Sequence, residues 1–332
     1  MSFVVDGTQW RFDDLSPHEI GASIERLLDR VSTALDRNEI VWIGDDLQTR
    51  SVLYNLDLWS LFSPEAPISL SAELAQELAA WLGRAPRYAD EVEWPEGLDD
   101  ILIRVDDDET ESADIAWAHH HVRAGRPVAC LGVTKPGPRK TESSHGNAIV
   151  HWVVDEATHR AFWRSAIEVE GDNEDTVQRI APHAFPDLYF HDGVWDGLKH
   201  LAGGYYALSS EIRRYFAVLD DHGKWAFTCP PPALSPGEAA DPSVTSSPPN
   251  QIIERRFSGL GLTMAPENPD VYADRRCRSA RQIKIGEKTF YCEWHGKLEP
   301  HRNRVHVHSP APESKEKVII GIIHEHLPLP GD

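Results

Sequence analysis

Apolar residues recur at three- and four-residue steps over residues 17–37, at Ile20, Ile24, Leu27, Leu28, Val31 and Leu35, and Ser16 stands where a helix cap belongs. The spacing predicts an amphipathic helix. Similar helical patterns cover 72–82 and 209–219, and 112–124 reads as a further helix. Between them lie short apolar runs at 40–43, 101–105, 128–133, 148–154 and 225–227, which read as strands. The alternation predicts an N-terminal domain of α+β or α/β class.

The last third of the chain has another rhythm. Over 289–295, Phe290, Cys292 and Trp294 alternate with Tyr291, Glu293 and His295; over 303–308, Val305 and Val307 alternate with Arg304, His306 and His308. The run 318–326 is more apolar and carries His324 and His326 at i and i+2. Three such runs separated by polar turns predict a smaller β-rich domain built on an antiparallel meander, with one packed face and one wet, imidazole-rich face.

The boundary is expected at residues 229–250, CPPPALSPGEAADPSVTSSPPN, where seven prolines exclude a helix interior or a central strand. This predicts an acidic domain over 1–228, a proline-rich linker over 229–250 and a β-rich domain over 251–332. Charge follows the same division: of the formal −20 carried by 332 residues, the segment 252–332 holds +2 and the remainder −22. So acidic a chain does not wrap nucleic acid over its whole surface, and any phosphate contact must be local. The start has neither a basic nor an apolar segment of signal type, and no apolar run approaches the roughly 18 residues of a membrane span. Four cysteines without a CxxC pair suit a reducing cytosol. The expectation is therefore a cytoplasmic protein with no membrane contact.

Six of the seventeen histidines fall within 295–326. Residues two apart on a strand share a face, so His306 with His308, and His324 with His326, form local pairs that neighbouring strands can bring together. Three readings remain open. His306 and His324 can transfer protons, with Glu293 orienting an imidazole or acting as base and Lys297 and Arg304 clamping a phosphate. Alternatively, His306, His308, His324 and His326 can ligate zinc or another transition metal. The third reading is a solvated sheet face.

The order WHGKL (294–298), NRVHVH (303–308) and KVIIGIIHEHL (317–327) resembles the sheet of RelE or HigB type mRNA interferases, across roughly the last 45 residues. The resemblance implies phosphate-binding and proton-transfer roles at Lys297, Arg304, His306 and His324, and a function in growth arrest or phage defence.

Just before the meander, DRRCRSARQIK carries Arg275, Arg276, Arg278, Arg281 and Lys284. Arg276 and Arg278 are expected to hold RNA or DNA phosphates, although the run can equally dock the acidic part of its own chain. Cys277 has no base nearby in sequence and reads as a packed or solvated thiol. Upstream, His119, His120 and His121 splay around a helix and read as solvated surface; Asp106, Asp107 and Asp108 read as a solvated loop, and 182–195 as an aromatic loop lining a core. The chain lacks GxxxxGK[ST], HExxH and GxSxG, which removes support for NTPase, zincin and serine-hydrolase readings. The expectation is a prokaryotic phosphodiester-binding or -cleaving protein, most naturally an RNA nuclease of toxin or antiviral-defence type; the alternative is a non-catalytic subunit of a multi-protein defence system. Either fits association with a co-encoded protein.

Overall fold

The structure is a computed structural model describing residues 2–63, 65–68, 70–90, 94–239, 243 and 246–332. It is of α+β class, with helices, two large mixed sheets and two small two-stranded ones, and divides into two compact units, Met1–Gly171 and Asp172–Asp332.

The first unit is built on a seven-stranded sheet. Its strands are β1 (Ser2–Val5), β2 (Ile40–Trp42), β3 (Leu102–Val105), β4 (Asp108–Glu111), β5 (Val128–Leu131), β6 (Gly137–Ser143) and β7 (Gly146–Val153), in the order β2-β1-β5-β7-β6-β3-β4. β2, β1, β5 and β7 are parallel, and the other pairings are antiparallel. β1 and β5 are buried along their whole length, as expected of parallel strands covered on both faces. The expected helices form, the first with its expected cap, Ser16. In α1 (Pro17–Asp36), Ser16 accepts the Glu19 N–H while Glu19 reaches back to Ser16; in α2 (Ala72–Leu82) and α3 (Ala113–Arg123), Ser71 and Ser112 cap the first turn. α4 (Glu156–Val169) follows β7.

Two expectations in this unit fail. His119, His120 and His121 are buried rather than solvated, because α3 is covered by protein around these positions: His119 is bonded to the hydroxyls of Thr141 and Ser143, and His121 packs edge-on against Trp117. The acidic run is not a loop throughout. Asp108 opens β4, and Asp106, at the turn with φ of 56°, is paired with Arg139.

The second unit holds a five-stranded sheet. Its strands are β8 (Leu188–Phe190), β9 (Met264–Pro266), β12 (Trp294–Lys297), β13 (Arg304–Ala311) and β14 (Lys317–His324), in the order β8-β14-β13-β12-β9, and the separate hairpin β10 (Gln282–Ile285) and β11 (Lys288–Tyr291) completes the set. β12, β13 and β14 form the antiparallel meander expected from the alternation. The run 289–295 is not one strand, however; it is cut between Tyr291 and Trp294 into β11 and β12. The helices of five residues or more are α5 (Glu174–Ala184), α6 (Gly204–Thr228), α7 (Asn250–Gly259), α8 (Pro269–Ala273) and α9 (Arg275–Ala280).

The division at Gly171 differs from the one expected at the prolines. Residues 172–228 belong with the C-terminal sheet: β8 pairs in parallel with β14, and α6 lies across the meander. Residues 225–227 are the end of that helix, not a strand. The Tyr215 hydroxyl of α6 donates to the Lys297 carbonyl oxygen at 2.8 Å, and a Cβ on Gly296 would stand 2.4 Å from the Tyr215 ring, so only glycine lets helix and strand approach this closely. The first residues of the proline-rich stretch are held as well. Arg256, fully buried, donates to the carbonyl oxygens of Ala226, Cys229 and Ala233 at 2.9, 2.9 and 2.8 Å. The central part of the stretch, residues 240–242, 244 and 245, lies outside the described residues.

Candidate functional site

One face of the meander meets α6 through Trp294, Gly296 and Val305, among others; the other carries the polar side chains. In the antiparallel register His295 stands opposite His306, and Lys297 stands opposite Arg304. Directly opposed residues on one face have neighbouring side chains, so a two-by-two array of imidazoles and cations follows from strand pairing alone. The array opens into a cavity of about 330 Å³ lined by His295, His306, Lys297, Arg304, Glu267 and Arg281, with His326 and Leu327 at its edge.

Glu267 is the group that sequence reasoning missed. It follows the edge strand β9, which pairs with β12 through Ala265 and His295, and its own N–H donates to the Glu293 carbonyl oxygen at 2.7 Å. Its Oε1 lies 2.8 Å from Arg281 Nε and 3.4 Å from Nδ1 of both His295 and His306. Burial pushes this carboxyl upward, but the contacts to His295, His306 and Arg281 outweigh it and hold the pKa well below the usual range. Glu267 is thus ionised beside an arginine. The available signal was the bracket Pro266-Glu-Asn-Pro269, since proline is tolerated at a sheet edge and at a helix start.

The expected wet face is largely covered. His306 is 2% exposed, and burial lowers its pKa to about 4 against the opposing pull of Glu267. Its ring is therefore neutral at pH 7. A carboxylate beside Nδ1 favours the proton on that nitrogen, which leaves the Nε2 lone pair as the basic position, and His306 Nε2 is buried without a hydrogen-bond partner. His295 is the more open ring of the pair.

Apart from His326, which lines the cavity, most of the remaining expected residues go elsewhere. His324 stands opposite Arg304 in register, but its ring stacks on His200 at 5.5 Å, so the His306–His324 pair does not form. His308 packs against Phe290 and bonds the Ser309 carbonyl oxygen, and His326 is exposed. The four expected metal ligands do not converge, and among the described residues no group of three or more His, Cys, Asp or Glu is placed to hold a metal ion. Glu293 points to solvent outside the cavity. The basic run folds as α9, capped by Asp274; Arg276 bonds the Asp332 carbonyl oxygen, and Arg278 lies over the Tyr272 ring. Of the run, Arg281 alone lines the cavity. Cys277 is buried, and burial followed by its bond to Asp274 raises its pKa, the direction of an inert thiol. All four cysteines are free.

Arginine and lysine outnumber carboxylates at this cavity, Arg281, Lys297 and Arg304 against Glu267, in a chain of formal charge −20. The local field selects an anion. Comparison with protein-family models, curated proteins and solved structures found no match to the chain. No helix among the described residues is long and apolar enough to cross a membrane.

Proposed function

We propose that the cavity of the second unit binds and cleaves a phosphodiester of single-stranded RNA in a reducing cytosol, as a nuclease of toxin or antiviral-defence type. The observation that supports this reading is the cross-strand array, two imidazoles over an ionised carboxylate beside two opposed cations. Lys297 and Arg304 hold the phosphate, and they neutralise charge as it builds on the phosphorane. RNA carries its own nucleophile. His295 takes the proton of the 2′-hydroxyl as its oxygen attacks phosphorus, the bond from phosphorus to the 5′-oxygen breaks, and that oxygen leaves with a proton from His326 at the cavity edge. The products are a 2′,3′-cyclic phosphate and a free 5′-hydroxyl. Glu267, fixed by Arg281, orients the ring of His295 from behind, with His306 as its second contact.

The test uses the whole chain with a labelled single-stranded RNA and its DNA counterpart. Cleavage of RNA alone, leaving cyclic phosphate ends, is expected. His295→Ala should abolish turnover with binding retained, and Lys297→Ala with Arg304→Ala should weaken binding about tenfold or more, the equivalent of roughly 1.4 kcal/mol. A wild-type chain that neither binds nor cuts RNA refutes the proposal, as does turnover unchanged in His295→Ala.

A further inference from the structure

The first unit carries a second concave site, at the carboxyl ends of its parallel strands. The chain leaves β1 through α1 to reach β2 on one side and later returns as β5 on the other, all three strands running the same way. Such a reversal opens a crevice outside the strand ends, the position where open parallel sheets bind ligands. Here it is a cavity of about 300 Å³ lined by Thr8, Gln9, Arg11, Thr134, Lys135 and Arg139, among others.

The loop after β5 sets the chemistry of this crevice. The backbone N–H groups of Val133, Thr134 and Lys135 all point at one atom, Gln9 Oε1, at 3.0, 3.0 and 3.2 Å, and the Thr134 hydroxyl stands 3.4 Å from it. An amide oxygen has two lone pairs, so a neutral acceptor is over-supplied with donors. Consecutive N–H groups converging in this way form a concavity suited to an anion. Gln9 is held in it from behind: its Nε2 donates to Asp6 Oδ2 at 3.0 Å, and Asp6, itself buried, also accepts from Trp152 Nε1 and from the N–H and hydroxyl of Thr8. Gly132 begins the loop because a Cβ there would lie 3.0 Å from Gln9 Oε1 and 3.2 Å from the Trp152 ring.

We infer that loop 132–135 is a phosphate-binding site for a small phosphorylated ligand, in which the Gln9 amide oxygen takes the place of a phosphate oxygen until the ligand displaces it. Lys135 and Arg11 supply charge at the cavity wall. Asp106, already paired with Arg139, and Asp108 line the cavity as well and suit hydroxyl or amino groups on the remainder of the ligand. This site and its chemistry are independent of the RNA reading of the second unit.

The probe is inorganic phosphate, titrated into the full chain while the amide resonances of Val133, Thr134 and Lys135 are followed by NMR, with acetate as a parallel titration. In the wild type, phosphate should shift these three amides saturably and more tightly than acetate. Gln9→Ala removes the competing side chain, and the apparent affinity for phosphate should rise about tenfold because the open site no longer has to be selected from a small population. If Gln9→Ala fails to fold, the wild-type titration alone decides. Absence of saturable shifts at these amides up to tens of millimolar phosphate, a range corresponding to less than about 3 kcal/mol of binding, overturns the inference; so do shifts spread over the surface or equal affinity for acetate.

Discussion

Acid should weaken the second unit through His306 in a way that can be calculated beforehand. The ring has a folded-state pKa of about 4 against an ordinary value of 6.5, and burial is the main cause. Because the unfolded chain binds the proton more readily, it holds more protons between those two values; stability therefore rises with pH across the window and is lost as pH falls through it. From pH 7 to pH 5 the loss attributable to this ring is about 1.8 kcal/mol, about twentyfold in the opening equilibrium. Glu267 has the opposite character. Its lowered pKa stabilises the fold above the ordinary carboxylate range, and that contribution is still intact at pH 5. The measurement is amide exchange of Val305 and Val307 in β13 at several pH values, corrected for the intrinsic rate, in the wild type and in His306→Gln. Subtracting the two curves cancels the titrating groups that do not touch His306; Glu267, whose pKa His306 helps to lower, titrates below this window in the wild type. A direct check is the titration of the His306 ring proton by NMR. Parallel curves, or a midpoint near 6.5, would show that the ring is not the buried neutral base described above.

Two further predictions concern packing. Arg256→Met strands the carbonyl oxygens of Ala226, Cys229 and Ala233 that the guanidinium now satisfies, and should cost about 3 kcal/mol or more, read as a lower urea midpoint for the second unit. Gly321→Ala places a methyl 2.3 Å from Cys292 Sγ and should cost about 1–3 kcal/mol; adding Cys292→Ala should recover part of the loss, and a double variant no better than the single would show that the backbone rather than the sulfur is the obstacle.

What could be read from the sequence was what local periodicity encodes. Ser16 announces its helix by chemistry within a few residues, and the alternation of Val305 and Val307 with Arg304 and His306 places the cation and the imidazole on one face. Partners contributed by distant segments were not readable. His119 looked solvated because nothing in α3 says that Thr141 and Ser143, some twenty residues on, will bond its ring. Residues 225–227 looked like a strand because three apolar residues in a row carry no period, and only the 25-residue length of α6 settles the matter. The proline-rich stretch marked an irregular segment correctly in chemistry, yet β8 and α6 were already committed to the C-terminal sheet upstream of it. Composition identifies segments that cannot be regular; it does not say which sheet the neighbouring strands will join.

The same distinction explains why Glu267 matters more than the histidines that drew attention first. A neutral imidazole buried without a partner on Nε2 forgoes a hydrogen bond worth about 1 kcal/mol, and an apolar side chain of similar size would fill that place without loss. An ionised carboxylate held between Arg281 and two rings is costlier still to desolvate, and replacing such a cluster with apolar residues commonly stabilises a fold. Stability alone therefore gives no reason for this arrangement at the floor of a cationic cavity. The proposed nuclease supplies one: a fixed negative oxygen beside Nδ1 orients the more open ring, His295, for the proton transfer proposed above, an arrangement the solvated face expected from the sequence would not have provided.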